Sequence, residues 1–321
     1  MKTIGFVISK KNNEHRRALL PDDVKKIRNS SMLYFEQGYG EVCGFNDQDY
    51  IVAGANIVAR EQVLKCEVIV DVKLGDADYL DYLNAPKLLV GWSHAAQNIA
   101  FTNKIISAKH SVLAWESLYE DNRYVFYKNR EIAGEAAVLH GFRFSKKMPY
   151  DTRVAIIGNG QVAKGAMRVL NGLGAYVDVY DKHLETLFRK EMRNYDVIVN
   201  CVLWDITRKD RLIYRDDLKT FKKGTLIIDV SCDRNLEIET TTPTTIDNPV
   251  YEVDGVIHYA VDNTPALFSN TVTKHLSVAF SKYVDFLVSG DFNKCLDNSI
   301  VIKDGVIIDE TIKAFRHKMG L

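Results

Sequence analysis

The stretch "RVAIIGNGQVAKGAMRVLNGLGAYVDVYDK" runs from Arg153 to Lys182. It opens with an apolar, β-branched run, turns at Gly158 and Gly160, continues with helical spacing, and ends in a second apolar run closed by Asp181. Strand, glycine turn, helix and strand in this order are the first half of a dinucleotide-binding unit. Gly158, Gly160 and Ala163 read as G-x-G-x-x-A. The first glycine permits a tight turn, and the second lets a pyrophosphate approach the backbone. The small third residue lets helix and strand pack closely. The N-terminus of the helix would offer its unpaired N–H groups to the phosphates. A glycine turn alone is a weak signal, because such turns are common in loops. Here the flanking strands support it, as does an acid at the spacing of a ribose-binding carboxylate.

The same stretch leaves the dinucleotide open. Asp181, at the end of the second strand, suits a ribose 2′-OH and therefore NAD. Lys182 follows at once, and Lys164 and Arg168 lie in the helix after the glycines. Those cations could neutralise a 2′-phosphate, or they could be solvated surface charges. The motif by itself divides evenly between NAD and NADP.

Downstream, Asp196–Val202, Thr225–Ser231 and Val256–Asp262 are further apolar strand candidates. With the two in the opening stretch they make five, the order of a Rossmann-type sheet. Upstream, "EIAGEAAVLHGFRFSKK" from Glu131 is a helix with small residues on one face. In the N-terminal block, Thr3–Ser9, Glu67–Lys73 and Lys87–Trp92 read as buried strands. Pro21 starts a helix, and Asn98–His110 is helical. Strands alternating with helices predict a parallel sheet. "VLAWESLYEDNRYVFYK" reads as a hairpin around "EDN".

After Asn263, Thr264 and Pro265 fit the N-cap and first position of a long helix. Asp304-Gly305 between β-branched runs signals a two-residue hairpin, and a short helix closes the chain. The expected fold class is α/β, with two Rossmann-like domains built on parallel sheets. The cofactor domain, 131–263, is inserted into a discontinuous substrate domain made of 1–130 and a returning segment, 264–321.

A length of 321 residues fits two domains. Lys+Arg and Asp+Glu both number 42, so net charge offers no long-range pull toward nucleic acid or an anionic membrane. The five cysteines (Cys43, Cys66, Cys201, Cys232, Cys295) are scattered, odd in number and without a C-x-x-C pair. That argues against a zinc site or disulfide framework and for reduced thiols in a cytoplasmic protein, with no metal. The apolar run in "MKTIGFVISKK" is too short for a signal peptide, and no stretch approaches the ~20 apolar residues of a spanning helix.

Three ionisable positions stand out in the N-terminal block. Arg16 and Arg17 follow the first strand, where either could clamp a carboxylate at two points. Taken alone, such a pair is more often a surface feature. Lys73 ends "EVIVDVK" and could equally be snorkelling to water. His94 follows "LLVGW", and a lone histidine is more often structural. All three nevertheless follow strand ends, where open α/β sheets hold ligands. Together they suit a carboxylate binder with an acid–base pair. Asp233, after the strand in "LIIDVSCD", would face the same cleft from the other domain; its alternative is ordinary turn chemistry.

"NNEHRRALLP", "VDVK", "WSHAAQN", "EIAGEAA" and "ETTTPTTIDNPVYEVDGVIHYAVDNTP" resemble the alanine dehydrogenase, saccharopine dehydrogenase and transhydrogenase superfamily over nearly the whole chain. "MKTIGFVIS", "FEQGYGEV", "VLWDITRKD" and "IIDVSCD" are most similar to its N5-(carboxyethyl)ornithine synthase family. That resemblance implies NADPH-dependent condensation of pyruvate with the side-chain amine of ornithine, or less well lysine, through an imine reduced by hydride. It tips the cofactor toward NADPH over NADH. It implies that Arg16 holds the keto-acid carboxylate, that Lys73 binds substrate and shares catalysis with His94, and that Asp233 joins them. The implied cofactor contacts are Gly158, Asn159, Gly160, Gln161, Val162, Asp181, Lys182, Val202 and Asn263. A cytoplasmic homodimer or homotetramer follows from the same likeness.

Departures from the alanine dehydrogenase pattern occur at Arg130, where those enzymes carry serine, and around Asp233, where they carry "DQGG". The alternatives are an alanine dehydrogenase, or a saccharopine-type enzyme with another amine or keto acid, for which Arg17 or Arg130 would supply an extra cation. A dinucleotide-binding sensor without catalysis is the alternative of another class.

Overall fold

Short β-branched runs separated by polar turns set the strands of a computed structural model that describes residues 1–205, 208–232 and 234–321. In chain order the first six are β1 (Ile4–Phe6), β2 (Leu33–Glu36), β3 (Asn56–Val58), β4 (Val68–Val70), β5 (Leu88–Gly91) and β6 (Ser111–Ala114). A small antiparallel pair follows, β7 (Tyr119–Glu120) and β8 (Arg123–Tyr124). Then come β9 (Arg153–Ile157), β10 (Tyr176–Tyr180), β11 (Val197–Asn200), β12 (Leu226–Asp229), β13 (Val250–Val253) and β14 (Val256–Tyr259). The chain ends with β15 (Ile300–Lys303), β16 (Val306–Ile307) and the helix Glu310–Lys318. It divides into two units, one of 1–126 with 269–321 and the other of 127–268.

In the first unit the sheet order is β16-β15-β6-β5-β4-β1-β2-β3. β1 to β6 are mutually parallel, whereas β15 joins β6, and β16 joins β15, antiparallel. The sheet is therefore mixed rather than purely parallel, because the closing hairpin adds to its edge. Asp304 and Gly305 both have positive φ, as a two-residue hairpin requires. β1 is the starting strand from which β2 and β3 extend one way and β4 to β6 the other. The switch point lies between β1 and β4, where open sheets of this kind bind ligands at the C-terminal strand ends.

One face of this sheet carries Ile69, Leu89 and Val112, which form a single core with Val63 of the helix Arg60–Val63. The other stacks Phe6 on Phe35 at 4.4 Å. The helix Ser269–Ser289 buries Val272, Leu276, Phe280, Tyr283, Val284 and Leu287, a stripe at helical spacing. It is tied to the segment after β1: the N–H groups of Arg17 and Leu20 donate to Thr273 and Ser277 at 2.9 and 2.8 Å. A 3₁₀ turn, Thr264–Phe268, precedes that helix where the sequence reading began it at Thr264. The hairpin expected around "EDN" is present as β7 and β8, but it is shorter than the quoted stretch, because Val112–Ala114 belongs to the main sheet.

The second unit has order β10-β9-β11-β12-β14-β13, parallel except for β13 at the edge. Its switch point lies between β9 and β11. The helices Tyr127–Gly141 and Gln161–Gly172 pack backbone to backbone. A Cβ on Gly165 would lie 1.9 Å from the carbonyl oxygen of Glu131, and one on Gly134 2.0 Å from that of Val162. This close approach explains the small residues of "EIAGEAA". Gly165→Ala is expected to cost about 1–3 kcal/mol through overpacking, read as a lower urea midpoint. Gly172→Ala, where an added Cβ meets nothing within 4 Å, serves as the neutral control.

Candidate functional site

Arg16, Lys73 and His94 follow the C-terminal ends of β1, β4 and β5, all within the first unit. The loops that carry them are fastened to one another. The N–H of Gly75 donates to the carbonyl of Trp92 at 3.0 Å. Cβ atoms at Gly75 and Gly91 would fall 2.4 Å from Ser93 O and 1.8 Å from Asp71 O, so only glycine permits these approaches. The Arg16 guanidinium lies 4.8 Å from the ring centre of Trp92. All three residues thus converge on the turn Trp92–His94.

Arg16 is buried and paired with buried Glu14: Nη2 to Oε2 is 2.6 Å and Nε to Oε1 is 2.9 Å. Glu14 therefore takes one edge of the guanidinium fork, a partner that sequence reasoning missed. Arg17, the other candidate clamp, turns away. Its Nη1 donates to the Arg16 carbonyl at 2.9 Å, and the guanidinium lies 5.4 Å from the Tyr39 ring. This corrects the expectation that Arg17 could serve a larger keto acid, since its donors are used in packing. Lys73 is buried, with Nζ 4.0 Å from Asp76.

His94 adopts a left-handed backbone (φ 47°) that a non-glycine residue takes only when held there. Glu116 holds it. The carboxylate accepts from the N–H of His94 at 2.6 Å, from the Ser93 hydroxyl at 2.7 Å and from the Ser93 N–H at 3.2 Å. Surrounding protein holds the imidazole pKa below its ordinary value; Glu116 opposes that and nearby Lys73 adds to it. Glu116→Gln removes the opposing charge, so the acid limb of the kcat/KM profile is expected to move to lower pH. A pH–rate profile checks this, and an upward shift contradicts it.

Asp71, fully buried beneath Lys73, accepts from the Lys73 N–H at 2.9 Å. Burial pushes its carboxyl up to about 7, against the lowering effect of that N–H. A folded-state value above the ordinary 3.8 means that the group favours folding below about pH 4, and that this is lost as pH rises through about 7. Asp71→Asn is expected to flatten that loss, worth up to about 1.4 kcal/mol per pH unit. Urea midpoints between pH 4 and 8 provide the check.

In the second unit, Gly158 has φ 107° and its N–H donates to the Tyr180 carbonyl at 2.8 Å, bending the chain where β9 ends. Gly160 has nothing within 4 Å of an ideal Cβ, leaving the backbone open to a close ligand. Asn159 is exposed, Gln161 and Val162 are half-buried, and Ala163 is buried. The helix Gln161–Gly172 has no side-chain cap, and its first internal bond is from Lys164 N–H to Gly160 O. The N–H groups of Gln161, Val162 and Ala163 thus precede the helical ladder.

Asp181 accepts from the N–H of His183 at 2.8 Å through one oxygen, and Lys182 and Lys164 are exposed. Arg168, one helical turn on from Lys164, is engaged by Glu135 and, at 3.3 Å, by Glu131. That removes it from the candidates for a 2′-phosphate. Val202 lies across the switch point: a Cβ on Gly158 would sit 3.5 Å from its nitrogen. Asn200 supports this loop, accepting from Val202 N–H at 3.3 Å while donating to buried Asp229 and Glu237 at 2.9 and 2.8 Å. Asn263 is buried beside the 3₁₀ turn. Arg130 is half-buried in the first turn of the Tyr127–Gly141 helix, in this second unit. Asp233 lies outside the described residues.

Among the described residues no helix is long and apolar enough to cross a membrane. A family model for the alanine dehydrogenase/PNT N-terminal domain matches residues 7–128, and one for the alanine dehydrogenase/PNT C-terminal domain matches 182–313. An N(5)-(carboxyethyl)ornithine synthase from Clostridium botulinum is 30% identical over 298 residues, covering 88% of this chain and 93% of the relative. One from Lactococcus lactis subsp. lactis is 31% identical, covering 88% and 95%. Among solved structures an L-alanine dehydrogenase superposes with a TM-score of 0.85 over 99% of both chains, at 24% identity, a likeness of fold.

Proposed function

Since the chain belongs to the alanine dehydrogenase/PNT family, we propose that it condenses pyruvate with the side-chain amine of ornithine and reduces the imine with NADPH, giving N5-(1-carboxyethyl)ornithine. It is an oxidoreductase of that family, and its cofactor is a nicotinamide dinucleotide. The observation that carries the finer reading is the convergence of Arg16, Lys73 and His94 on one turn at the switch point of the first unit.

The Arg16 edge opposite Glu14 meets the pyruvate carboxylate, and Lys73 polarises the keto oxygen. A neutral His94 takes a proton from the incoming ammonium; after the amine adds to the carbonyl, that proton and a second one released from the nitrogen go to the keto oxygen, which departs as water. Glu116 keeps the ring aimed by fixing its backbone. When bound, the nicotinamide supplies hydride to the imine carbon. The turn at Gly158 and Gly160 fits its pyrophosphate, since the backbone there is open and leads into an uncapped helix start. Gln161 and Val162 line that start, with Asn159, Val202 and Asn263 as further contacts. Exposed Lys182 and Lys164 favour the 2′-phosphate of NADPH, beside Asp181. Asp233 is a third catalytic candidate. The enzyme acts as a cytoplasmic homo-oligomer.

A steady-state assay of pyruvate with a panel of amines, run with NADPH and NADH, tests the proposal. It expects the highest kcat/KM with ornithine and NADPH. Cofactor oxidation with ammonia but not with ornithine would instead make the protein an alanine dehydrogenase.

A further inference from the structure

Asp76 closes the short turn Leu74–Asp76 that follows Lys73. Its Oδ2 lies 3.4 Å from Nζ of Lys11 and 4.0 Å from Nζ of Lys73. Both separations exceed the roughly 2.7–2.9 Å of a tight charge-assisted bond, so this carboxylate is loosely held. Exposure separates the two lysines. The Lys73 side chain is 8% exposed, whereas those of Lys11 and Asp76 are 18% and 40% exposed. Lys11 and Asp76 therefore form an accessible cation–anion pair next to a buried catalytic lysine. Both also act electrostatically on His94, with opposite signs, so they stand within reach of the acid–base group.

A neighbouring cation and anion complement the two charges of an amino-acid head. We propose that Lys11 and Asp76 form the subsite for the α-amino-acid end of the amine substrate, Lys11 meeting its α-carboxylate and Asp76 its α-ammonium. This rests on the condensation reading above and adds the basis of its specificity. The short methylene chain of ornithine then carries the side-chain amine toward the keto acid at Lys73. Free amines without an amino-acid head lose these contacts, and a substrate that keeps only one of the two charges loses one of them.

Two truncated amines separate the contacts. 1,4-Diaminobutane lacks the α-carboxylate, and 5-aminopentanoate lacks the α-ammonium. In the wild-type enzyme ornithine is expected to exceed each in kcat/KM by about ten- to a hundredfold, the value of a charged hydrogen bond. Lys11→Met is expected to collapse the ratio of ornithine to 1,4-diaminobutane while keeping the ratio to 5-aminopentanoate. Asp76→Asn is expected to do the reverse. Ratios that stay at their wild-type values in both variants overturn the subsite and reduce the pair to a surface ion pair, leaving the condensation reading intact. Failure of the wild-type enzyme to oxidise NADPH with ornithine overturns both.

Discussion

His94→Ala is expected to lower kcat by about a hundredfold to ten-thousandfold, the contribution of a positioned acid–base group, while the Kd for NADPH stays within about threefold. The expectation follows from where the residue sits. His94 belongs to the first unit and the glycine turn to the second, and the turn is shaped by its own unit, through the Gly158 N–H bond to the Tyr180 carbonyl, which the substitution leaves in place. The backbone clamp by Glu116 runs through the N–H of His94 and survives the substitution. Stopped-flow traces and cofactor titration together make the check. A normal rate in the variant would remove His94 from the mechanism, and lost NADPH affinity would mean that the change had spread beyond the site.

Arg16→Leu carries the second large effect, and it has two parts. Arg16 and Glu14 have side chains 2% and 0% exposed. Removing the guanidinium leaves the Glu14 charge without its neutralising partner in a dry environment, which costs about 3–5 kcal/mol. The double variant Arg16→Leu/Glu14→Leu is expected to recover most of that stability, because replacing a buried pair with apolar groups is often neutral. It is not expected to recover turnover. With the carboxylate clamp gone, kcat/KM for pyruvate should fall at least about a hundredfold in both variants. Urea unfolding and pyruvate kinetics on the two variants separate structure from binding. Recovery of activity along with stability would show that Arg16 serves only to balance Glu14.

Arg16, Lys73 and His94 were legible in the sequence because each follows an apolar run that forms a parallel strand. Their partners were not. Glu14 lies two residues from Arg16, but nothing in the spacing says that its carboxylate folds back onto the guanidinium rather than facing a ligand. Glu116 had a signal that was missed. It follows β6 as His94 follows β5, and reading Val112–Ala114 as part of a hairpin hid that equivalence. Arg17 and Arg168 show the converse limit. A cation near a motif is a candidate only until its own partners are known, and here Tyr39, Glu131 and Glu135 take them. The parallel sheets were legible in their interiors, and what the pattern left out lies at the edges, where β13, β15 and β16 pair antiparallel. An edge strand is set by the neighbour it meets, which a local pattern does not reveal.

The most direct test of the central claim is the fate of the hydride. NADPH deuterated on the transferred face is incubated with the enzyme, pyruvate and ornithine, and the products are analysed by mass spectrometry. The account predicts one deuterium in N5-(1-carboxyethyl)ornithine, on the carbon that joins the new carboxyl group to the secondary amine. Deuterium found instead in alanine or lactate, with ornithine unchanged, would contradict it.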